Sequence, residues 1–440
     1  MPLSHLPTML LDSRFLKRVR AQFPTVEKDP AGKKRIFLDN GAGTLVTKRA
    51  AEAESAARLK YSANVGNVFS ESKGASGAIL DGRKAVADFL RAEGPENIVS
   101  GESCTSLLFQ LSYALSREMK GDGNIVATGY EHYANINPWA ELGGMGLINS
   151  LRFAKFDMES GLLDMEEMKK LIDKNTKVVT VSAASNVLGS RSDLVELAKM
   201  AKENGAYFCV DAVHHVAHGP TDVKKIGCDF LVFSGYKLFS RHGSFMYMTS
   251  AAMEKLNPYK VDPSPKHGPE RWELGTRDQA MFAAIEGAID YLAWLSNADS
   301  KALPKPGPQR SAALKKSMEH IEAYEKELTR IVLDGYGKIL GLRYIPGLTV
   351  YGPKLTPHKV GRDPTFSFKM AGIDDTELSR LLWEKYAIAV GAEDFYSRVP
   401  ALYDAKSFAR ATFVHYNTKE EAIALLTALS DIATRKGDRK

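Results

Sequence analysis

The sequence predicts an α/β protein whose first part is built on a mostly parallel sheet and whose last part forms a smaller α+β domain. Between residues 120 and 250, short apolar runs typical of strands alternate with segments of helical periodicity. Such alternation is typical of parallel strands joined by right-handed helical crossovers. Prolines at 304, 306 and 308 then interrupt the pattern, which marks 297–312 as the best candidate for a boundary between domains.

The elements before residue 250 follow from hydrophobic periodicity. Residues 13–24 carry apolar residues at helical spacing and predict an amphipathic helix ahead of a strand at 35–38. Ser190, with Asp193 three residues later, has the pattern of a capping box at the start of a helix. The other predictions are helices at 47–60 and 82–92, a strand near 97–99, a helix beginning near Thr105, and then strand 124–132, helix 137–142, strand 150–157, helix 165–172, strand 177–189 and helix 192–203.

The elements after the boundary region indicate the smaller domain. A long charged helix is predicted at 313–334, followed by short apolar runs, a helix at 374–386, a strand at 387–390 and a C-terminal helix from 418. We therefore expect an N-terminal arm at 1–35 that packs with the small domain, a large domain at 36–300 and a small domain at 301–440.

Composition excludes several classes of function. The net charge of +6 arises from 59 basic and 53 acidic residues that are mostly scattered, so nothing argues for a nucleic-acid partner. No apolar run approaches the ~18 residues of a membrane helix, and no secretory signal is recognisable. The three cysteines lack C-x-x-C spacing, which argues against disulfides and structural zinc. We expect a cytoplasmic protein with no membrane partner and no metal.

The stretch at 207–247 is predicted to hold the chemistry. Two apolar runs end in polar residues, one closing on Asp211 and the other on Ser234, with Lys237 just beyond the second. In an open α/β sheet ligands bind outside the carboxyl ends of the strands, so an acid and an amine at two strand ends would face one crevice. A lysine can form a Schiff base with pyridoxal phosphate while a carboxylate keeps its pyridine nitrogen protonated. Solvated loop positions for both residues remain the alternative.

Two further segments have features of a ligand site. The turn at 41–43, which contains Ala42, carries little or no side chain, so the backbone there could approach a ligand closely. Ser103, Cys104 and Thr105 lie at the start of a predicted helix, where free backbone N–H groups favour an anion such as phosphate. An ordinary N-cap is the alternative at that helix.

Taken together, seven segments in order resemble the class V aminotransferases of fold type I, and within them the cysteine-desulfurase-like group. The resemblance covers roughly residues 14–433. It implies pyridoxal 5'-phosphate as cofactor, a seven-stranded sheet in the large domain, an amino-acid substrate and a homodimer with composite active sites. The segments are LDNGAGT, PENIVSGESCTSLLF, EHYANINPW, SNVLG, the stretch at 207–247, ELGT and RATFVHYNT.

The resemblance implies a role for each matching residue. Lys237 would carry the cofactor and move protons at the substrate α-carbon, and Asp211 would pair with the pyridine nitrogen. His132 matches a histidine that stacks on the ring, while Asn186 and His214 match residues near the phenolic oxygen, Asn186 also near the substrate. Ser234 and Thr105 match phosphate ligands, Tyr236 retains an O–H donor for the same role, and Gly275 and Thr276 would reach the phosphate of the neighbouring subunit. Ser103 and Cys104 are assigned to the phosphate only from their place at the helix start.

The substrate side of the resemblance is where this sequence departs from the family. Arg410 matches the arginine that binds the α-carboxylate, and Ala42 is assigned to the substrate as well. The segment 389–399 contains no cysteine where cysteine desulfurases carry their nucleophile. Glu393 or Asp394, in that segment, would select a substrate with a cationic or amino distal group. These features favour a C–S lyase acting by β-elimination, with an aminotransferase or epimerase, or a non-catalytic homologue, as alternatives.

Overall fold

The computed structural model describes residues 12–119, 121–300, 302–354 and 361–437, so parts of the predicted arm (1–11) and of the small domain lie outside the described residues. The helices are α1 Ser13–Arg20, α2 Lys48–Lys60, α3 Ser70–Leu90, α4 Cys104–Met119, α5 Asn137–Gly144, α6 Met165–Leu171, α7 Leu194–Glu203, α8 Val223–Ile226, α9 Ser250–Lys255, α10 Gln279–Trp294, α11 Pro308–Asp334, α12 Asp375–Tyr386, α13 Val399–Leu402 and α14 Lys419–Gly437. The strands are β1 Ile36–Phe37, β2 Ile98–Gly101, β3 Asn124–Thr128, β4 Ser150–Ala154, β5 Thr176–Ser182, β6 Tyr207–Asp211, β7 Phe230–Ser234, β8 Ser244–Met248, β9 Gly335–Tyr336, β10 Ile339–Leu340, β11 Leu348–Tyr351, β12 Thr365–Met370, β13 Ile388–Ala389, β14 Gly391–Glu393 and β15 Phe408–Thr412.

A seven-stranded sheet with the order β2-β8-β7-β6-β5-β3-β4 forms the centre of the molecule. Strand β8 runs antiparallel to both of its neighbours, while the pairs β7-β6, β6-β5, β5-β3 and β3-β4 are parallel. Strands β3, β6 and β7 are buried along nearly their entire length, as expected for strands covered on both faces. The predicted α/β fold with a mostly parallel sheet is confirmed.

Two predicted helix starts were wrong for identifiable reasons. Helix α7 begins after Asp193, whose side chain accepts the Glu196 N–H, and not at Ser190, whose hydroxyl donates to the Gly161 carbonyl. Helix α3 begins at 70 rather than 82 because glycine and serine residues hide its periodicity. Gly82 allows close packing there, since a Cβ at this position would lie 2.6 Å from the Phe282 carbonyl oxygen.

The region expected to separate two domains is shorter than predicted. Helix α11 begins at Pro308, a residue favoured at the first helical position, so only part of 297–312 is irregular. Beyond it, β11, β12, β15 and β14 form a four-stranded antiparallel sheet. Strand β1 of the N-terminal segment pairs in parallel with β13, and Arg20 donates to Glu421 of α14.

These contacts join the described part of the N-terminal segment to elements near the C-terminus. The domain boundaries themselves stay a prediction. Among the described residues, no helix has both the length and the apolar character needed to cross a membrane.

Candidate active site

The carboxyl ends of β6 and β7 bring the predicted acid and amine together. Asp211 is the last residue of β6 and pairs in register with Val232 of β7. After β7 ends at Ser234, a 3-10 turn at Gly235–Lys237 carries the lysine. The Lys237 amine is buried beside the turn at 41–43 and donates to the Gly41 carbonyl.

The amine of Lys237 is poised to lose its proton near neutral pH. Burial, followed by the positive charge of Arg410, lowers its pKa to about 7, against the opposing effects of Asp39 and Asp211. An amine in this range is available both as a nucleophile and as a base.

Asp211 is a fully buried carboxyl with unused hydrogen-bonding capacity. Burial is the main reason that its pKa is raised to about 7, and the Val213 N–H partly opposes that rise. This N–H, at 2.9 Å, is the one hydrogen bond to the side chain among the described residues. A carboxylate can accept several donors, so the site has room for one more.

His132 is held as a neutral imidazole. Its Nδ1 accepts the Ala134 N–H at 3.0 Å, which caps the 3-10 turn Tyr133–Asn135. Burial, and then the charges of Lys237 and Arg410, lower its pKa to about 4. The ring of Tyr396 stacks against it, with centroids 5.8 Å apart and an interplanar angle of 22°.

The turn that carries His132 is anchored by a buried acid that sequence reasoning missed. Glu131 is completely buried and accepts hydrogen bonds from the Asn135 amide at 2.7 Å and from the N–H and hydroxyl of Ser182 at 2.9 and 2.6 Å. The acid that precedes His132 in EHYAN could have indicated this arrangement. A carboxylate that is buried at the end of a strand requires several hydrogen-bond donors around it.

At the N-terminus of α4, the predicted phosphate residues play different parts. The Ser103 hydroxyl accepts the Ser106 N–H at 3.1 Å, so this residue is the ordinary N-cap that the sequence left open. The Ser234 hydroxyl donates to Cys104 Sγ at 3.2 Å and shares a 2.8 Å hydrogen bond with Ser244. Cys104 is buried, whereas Thr105 is exposed and free to contact a ligand.

Tyr236 and the turn at 41–43 form the next wall. The Tyr236 ring stacks on His242 with centroids 4.6 Å apart, and Lys237 Nζ lies 5.1 Å from the Tyr236 centroid. Thr44 donates its N–H to the Tyr236 carbonyl at 3.1 Å. Ala42 is exposed in the turn.

His214 contacts the small sheet, an arrangement that the sequence did not reveal. Its Nε2 is hydrogen-bonded to Thr365 Oγ1 at 2.8 Å, and burial holds its pKa well below the usual value. His214, His218 and Asp363 each place one potential metal ligand within 4.8 Å of the others. His218 is hydrogen-bonded to Glu325, and Asp363 accepts a hydrogen bond from Arg191. We therefore interpret the cluster as an ion-pair network.

Arg410 lies on β15 and is almost wholly buried. Its Nη1 donates to the Asn186 carbonyl at 3.0 Å, and its Nη2 lies 3.6 Å from Asp39 Oδ1. Burial lowers its pKa to about 10. Two buried polar atoms at this point have no hydrogen-bond partner among the described residues, namely Arg410 Nε and Asp39 Oδ1. A buried donor without a partner is costly, and Arg410 Nε can donate to an anionic group.

The segment 389–399 closes over Arg410. The Asn186 amide donates to the Phe395 carbonyl at 2.9 Å, and the Phe395 ring centroid lies 3.7 Å from Arg410 Cζ. Glu393 is exposed at the rim. Gly275 and Thr276 lie on an exposed loop, a position suited to contacts outside the chain.

Sequence reasoning also missed Asp39 and Phe395. Asp39 stands in the quoted motif LDNGAGT, but only the small residues after it were considered. Phe395 lies in the segment singled out for its missing cysteine, and its contact with Arg410 depends on backbone conformation that no sequence pattern displays.

The fold and the site together define an α/β enzyme that keeps a buried amine and a buried carboxyl at the ends of neighbouring strands. A family model described as aminotransferase class-V matches residues 36–325, and the chain belongs to that family. Class V aminotransferases are pyridoxal-phosphate-dependent enzymes. The sequence-based assignment to this family is therefore confirmed.

Individual relatives agree along nearly the full chain. The chain is 30% identical to a probable cysteine desulfurase from Synechocystis sp. over 93% of its length and 94% of the relative, and 28% identical to a cysteine desulfurase from Escherichia fergusonii over 94% and 97%. The apo structure of a cysteine desulfurase from Thermococcus onnurineus superposes with a TM-score of 0.80 at 25% identity, covering 95% and 98% of the two chains. This likeness confirms the fold type I architecture.

Proposed function

We propose that this chain is a pyridoxal 5'-phosphate enzyme acting on an amino acid, and that it cleaves a C–S bond of a cysteine-type substrate by β-elimination. The observation that carries the proposal is the convergence of a buried amine, Lys237, a buried carboxyl, Asp211, and a buried guanidinium, Arg410. The relatives named as cysteine desulfurases support the C–S chemistry.

The groups at the site fit this cofactor. Lys237 offers an amine that can react with an aldehyde, and Asp211 offers a carboxyl with capacity for the pyridine nitrogen. The N-terminus of α4, with exposed Thr105, suits a phosphate. When bound, the cofactor supplies an electron sink for charge that develops at the α-carbon.

The side chains around that cofactor would divide the remaining work. Lys237 removes the proton at the α-carbon, because its amine is largely neutral just above pH 7. Arg410 binds the α-carboxylate through donors in one plane. The neutral imidazole of His132 packs beside the reacting group without repelling Lys237. Asn186 and His214 are the remaining proposed contacts to the phenolic oxygen.

The proposed elimination needs no enzyme thiol. The α C–H and Cβ–S bonds break, the sulfur leaves with the electron pair, and hydrolysis of the resulting enamine gives pyruvate and ammonia. Residues 389–399 contain no cysteine, and all three cysteines are buried. Burial raises the pKa of the Cys104 thiol to about 12, which is unfavourable for a nucleophile.

A product analysis tests the proposed reaction. The purified holoenzyme is supplied with several S-substituted cysteines, and pyruvate and the released thiol are measured. Equal amounts of both support β-elimination. Glutamate formed from 2-oxoglutarate would favour an aminotransferase, and loss of optical rotation without pyruvate would favour an epimerase. A colourless protein that binds no cofactor would instead favour a non-catalytic homologue.

Glu393 is proposed to favour a positively charged distal group on the substrate. Its neighbour Gly391 pairs with Arg410 across β14 and β15, and residues two apart on a strand share a face, so the Glu393 carboxylate lies on the face of Arg410. We expect S-(2-aminoethyl)cysteine to be preferred over S-propylcysteine about 5-fold, because exposed ion pairs contribute little. Glu393→Gln should remove this preference, as measured by the ratio of kcat/KM values.

The matched control for that experiment is Glu166→Gln, an exposed acid on α6, a helix that packs on the edge strand β4 of the seven-stranded sheet. It should leave the ratio unchanged. An unchanged ratio in Glu393→Gln would show that the carboxylate does not contact the distal group.

We also propose a cytoplasmic homodimer. The free state of all three cysteines is consistent with a reducing compartment. Gly275 and Thr276 are proposed to complete the phosphate site of the partner, which their exposure permits. The proposed domains remain 36–300 and 301–440, with the N-terminal arm packing on the latter.

A further inference from the structure

The guanidinium of Arg410 is covered by an aromatic ring from the segment that lacks the cysteine. The centroid of the Phe395 ring lies 3.7 Å from Arg410 Cζ, which is close contact for a cation over an aromatic face. The backbone of Gly41 packs against the same group, since a Cβ added there would lie 2.9 Å from both Cζ and Nε. The Phe395 ring and the Gly41 backbone therefore both lie within contact distance of the guanidinium carbon.

The backbone that presents Phe395 is in an unusual conformation. Phe395 and Tyr396 have φ values of 56° and 51°, a left-handed region that aromatic residues rarely occupy. Such conformations persist when the surroundings over-determine them, often at ligand clamps. Two hydrogen bonds do so here, from the Asn186 amide to the Phe395 carbonyl at 2.9 Å and from the Tyr133 N–H to the Tyr396 carbonyl at 2.8 Å.

The contacts that hold this backbone come from groups of the site itself. Asn186 also accepts Arg410 Nη1 through its carbonyl, and Ser397 donates its hydroxyl to the Glu131 carbonyl at 3.1 Å. The turns that carry His132 and Asn186 therefore also fix the position of the segment 389–399. The ring of Phe395, in turn, limits the orientations open to the guanidinium.

We propose that Phe395 is a positioning residue for the substrate carboxylate, which it controls by fixing the plane of the Arg410 guanidinium. A carboxylate that binds two donors of a guanidinium lies in the plane of that group. A fixed guanidinium plane therefore fixes the rotation about the bond between the carboxylate and the α-carbon. That rotation determines which bond of the α-carbon is oriented for cleavage. The proposal rests on the proposed function, in which Arg410 binds the α-carboxylate.

The test compares ligands with and without a carboxylate. Equilibrium dissociation constants are measured from the absorbance of the bound cofactor for norvaline, which has the shape of S-methylcysteine but no sulfur to eliminate, and for the matching amine, butylamine. In Phe395→Leu we expect the dissociation constant of the amino acid to rise about 10-fold while that of the amine changes less than 2-fold, as expected for the loss of a cation–aromatic contact. Phe395→Trp, which retains an aromatic face, should restore most of the amino-acid affinity.

Phe408→Leu is the matched control, because Phe408 is equally buried in the same cluster and contacts Tyr351 instead. It should raise neither dissociation constant. Equal losses for amino acid and amine in Phe395→Leu, or no loss for either, would overturn the proposal. If Phe395→Leu does not fold, Phe395→Trp and Phe395→Met are compared instead. The tryptophan variant should bind the amino acid at least 3-fold more tightly than the methionine variant.

Failure of the proposed function would look different. If the wild-type protein binds norvaline no better than butylamine, Arg410 does not recognise the carboxylate, and the role of Phe395 falls with that of Arg410. If the carboxylate is recognised but no pyruvate forms from the S-substituted cysteines, the elimination is wrong while the role of Phe395 stands.

Discussion

Lys237→Ala is expected to reduce turnover by about 10²–10⁴-fold or more, the range for loss of a positioned acid–base group, and to abolish covalent attachment of the cofactor. The Lys237 amine follows the end of β7. Burial lowers its pKa to about 7, so that much of it is uncharged near neutral pH. Borohydride reduction followed by peptide mass spectrometry measures attachment independently of turnover. The wild-type protein should carry the label on Lys237 and the variant should carry none.

The surface variant Lys326→Ala is the control, since this side chain is exposed on α11. Attachment in the wild-type protein should also increase as the pH rises through about 7, because the neutral amine is the reactive form. Label on another lysine in Lys237→Ala, with turnover preserved, would refute the assignment. Label that is insensitive to pH would mean that burial does not lower the pKa of this amine.

The large sheet was predictable because its signal is local. Strands β6 and β7 are short apolar runs that end in a polar residue, and Asp211 and Ser234 are the last residues of these two strands. A parallel topology then brings both ends to one edge without further information. The errors came where local signals mislead, as at Ser190, whose hydroxyl bonds to Gly161 rather than capping α7.

The substrate side of the site was less predictable because its contacts join distant segments. Arg410 meets Asp39, Asn186 and Phe395, from three different parts of the chain. Only the motif resemblance indicated Arg410, and nothing indicated the ring that covers it. His214 was assigned to the cofactor by position, while its hydrogen bond to Thr365 depends on how the small sheet docks.

Asp211→Asn is expected to stabilise the cofactor-free protein at pH 8 while impairing the enzyme. Burial raises the pKa of Asp211 from 3.8 to about 7, so the folded state binds more protons than the unfolded state between about pH 4 and pH 7. Stability therefore falls as the pH rises through that window, and the full cost, up to about 4 kcal/mol for a shift of about three units, is present above it. Asparagine keeps the acceptor for the Val213 N–H and carries no charge.

Urea unfolding of the cofactor-free protein at pH 4 and pH 8 measures this effect. The free energy of unfolding of Asp211→Asn should exceed that of wild type at pH 8 and differ little from it at pH 4. Asp173→Asn is a control of opposite sign. The hydrogen bond from Arg152 lowers the pKa of Asp173 to about 2, so the Asp173 carboxylate stabilises the protein at pH 8 and this stabilisation is lost as the pH falls.

In the holoenzyme, Asp211→Asn should lower kcat because a neutral amide cannot keep a pyridine nitrogen protonated. A variant that is less stable than wild type at pH 8 would mean that Asp211 is paired even without the cofactor, and the carboxyl would then be structural.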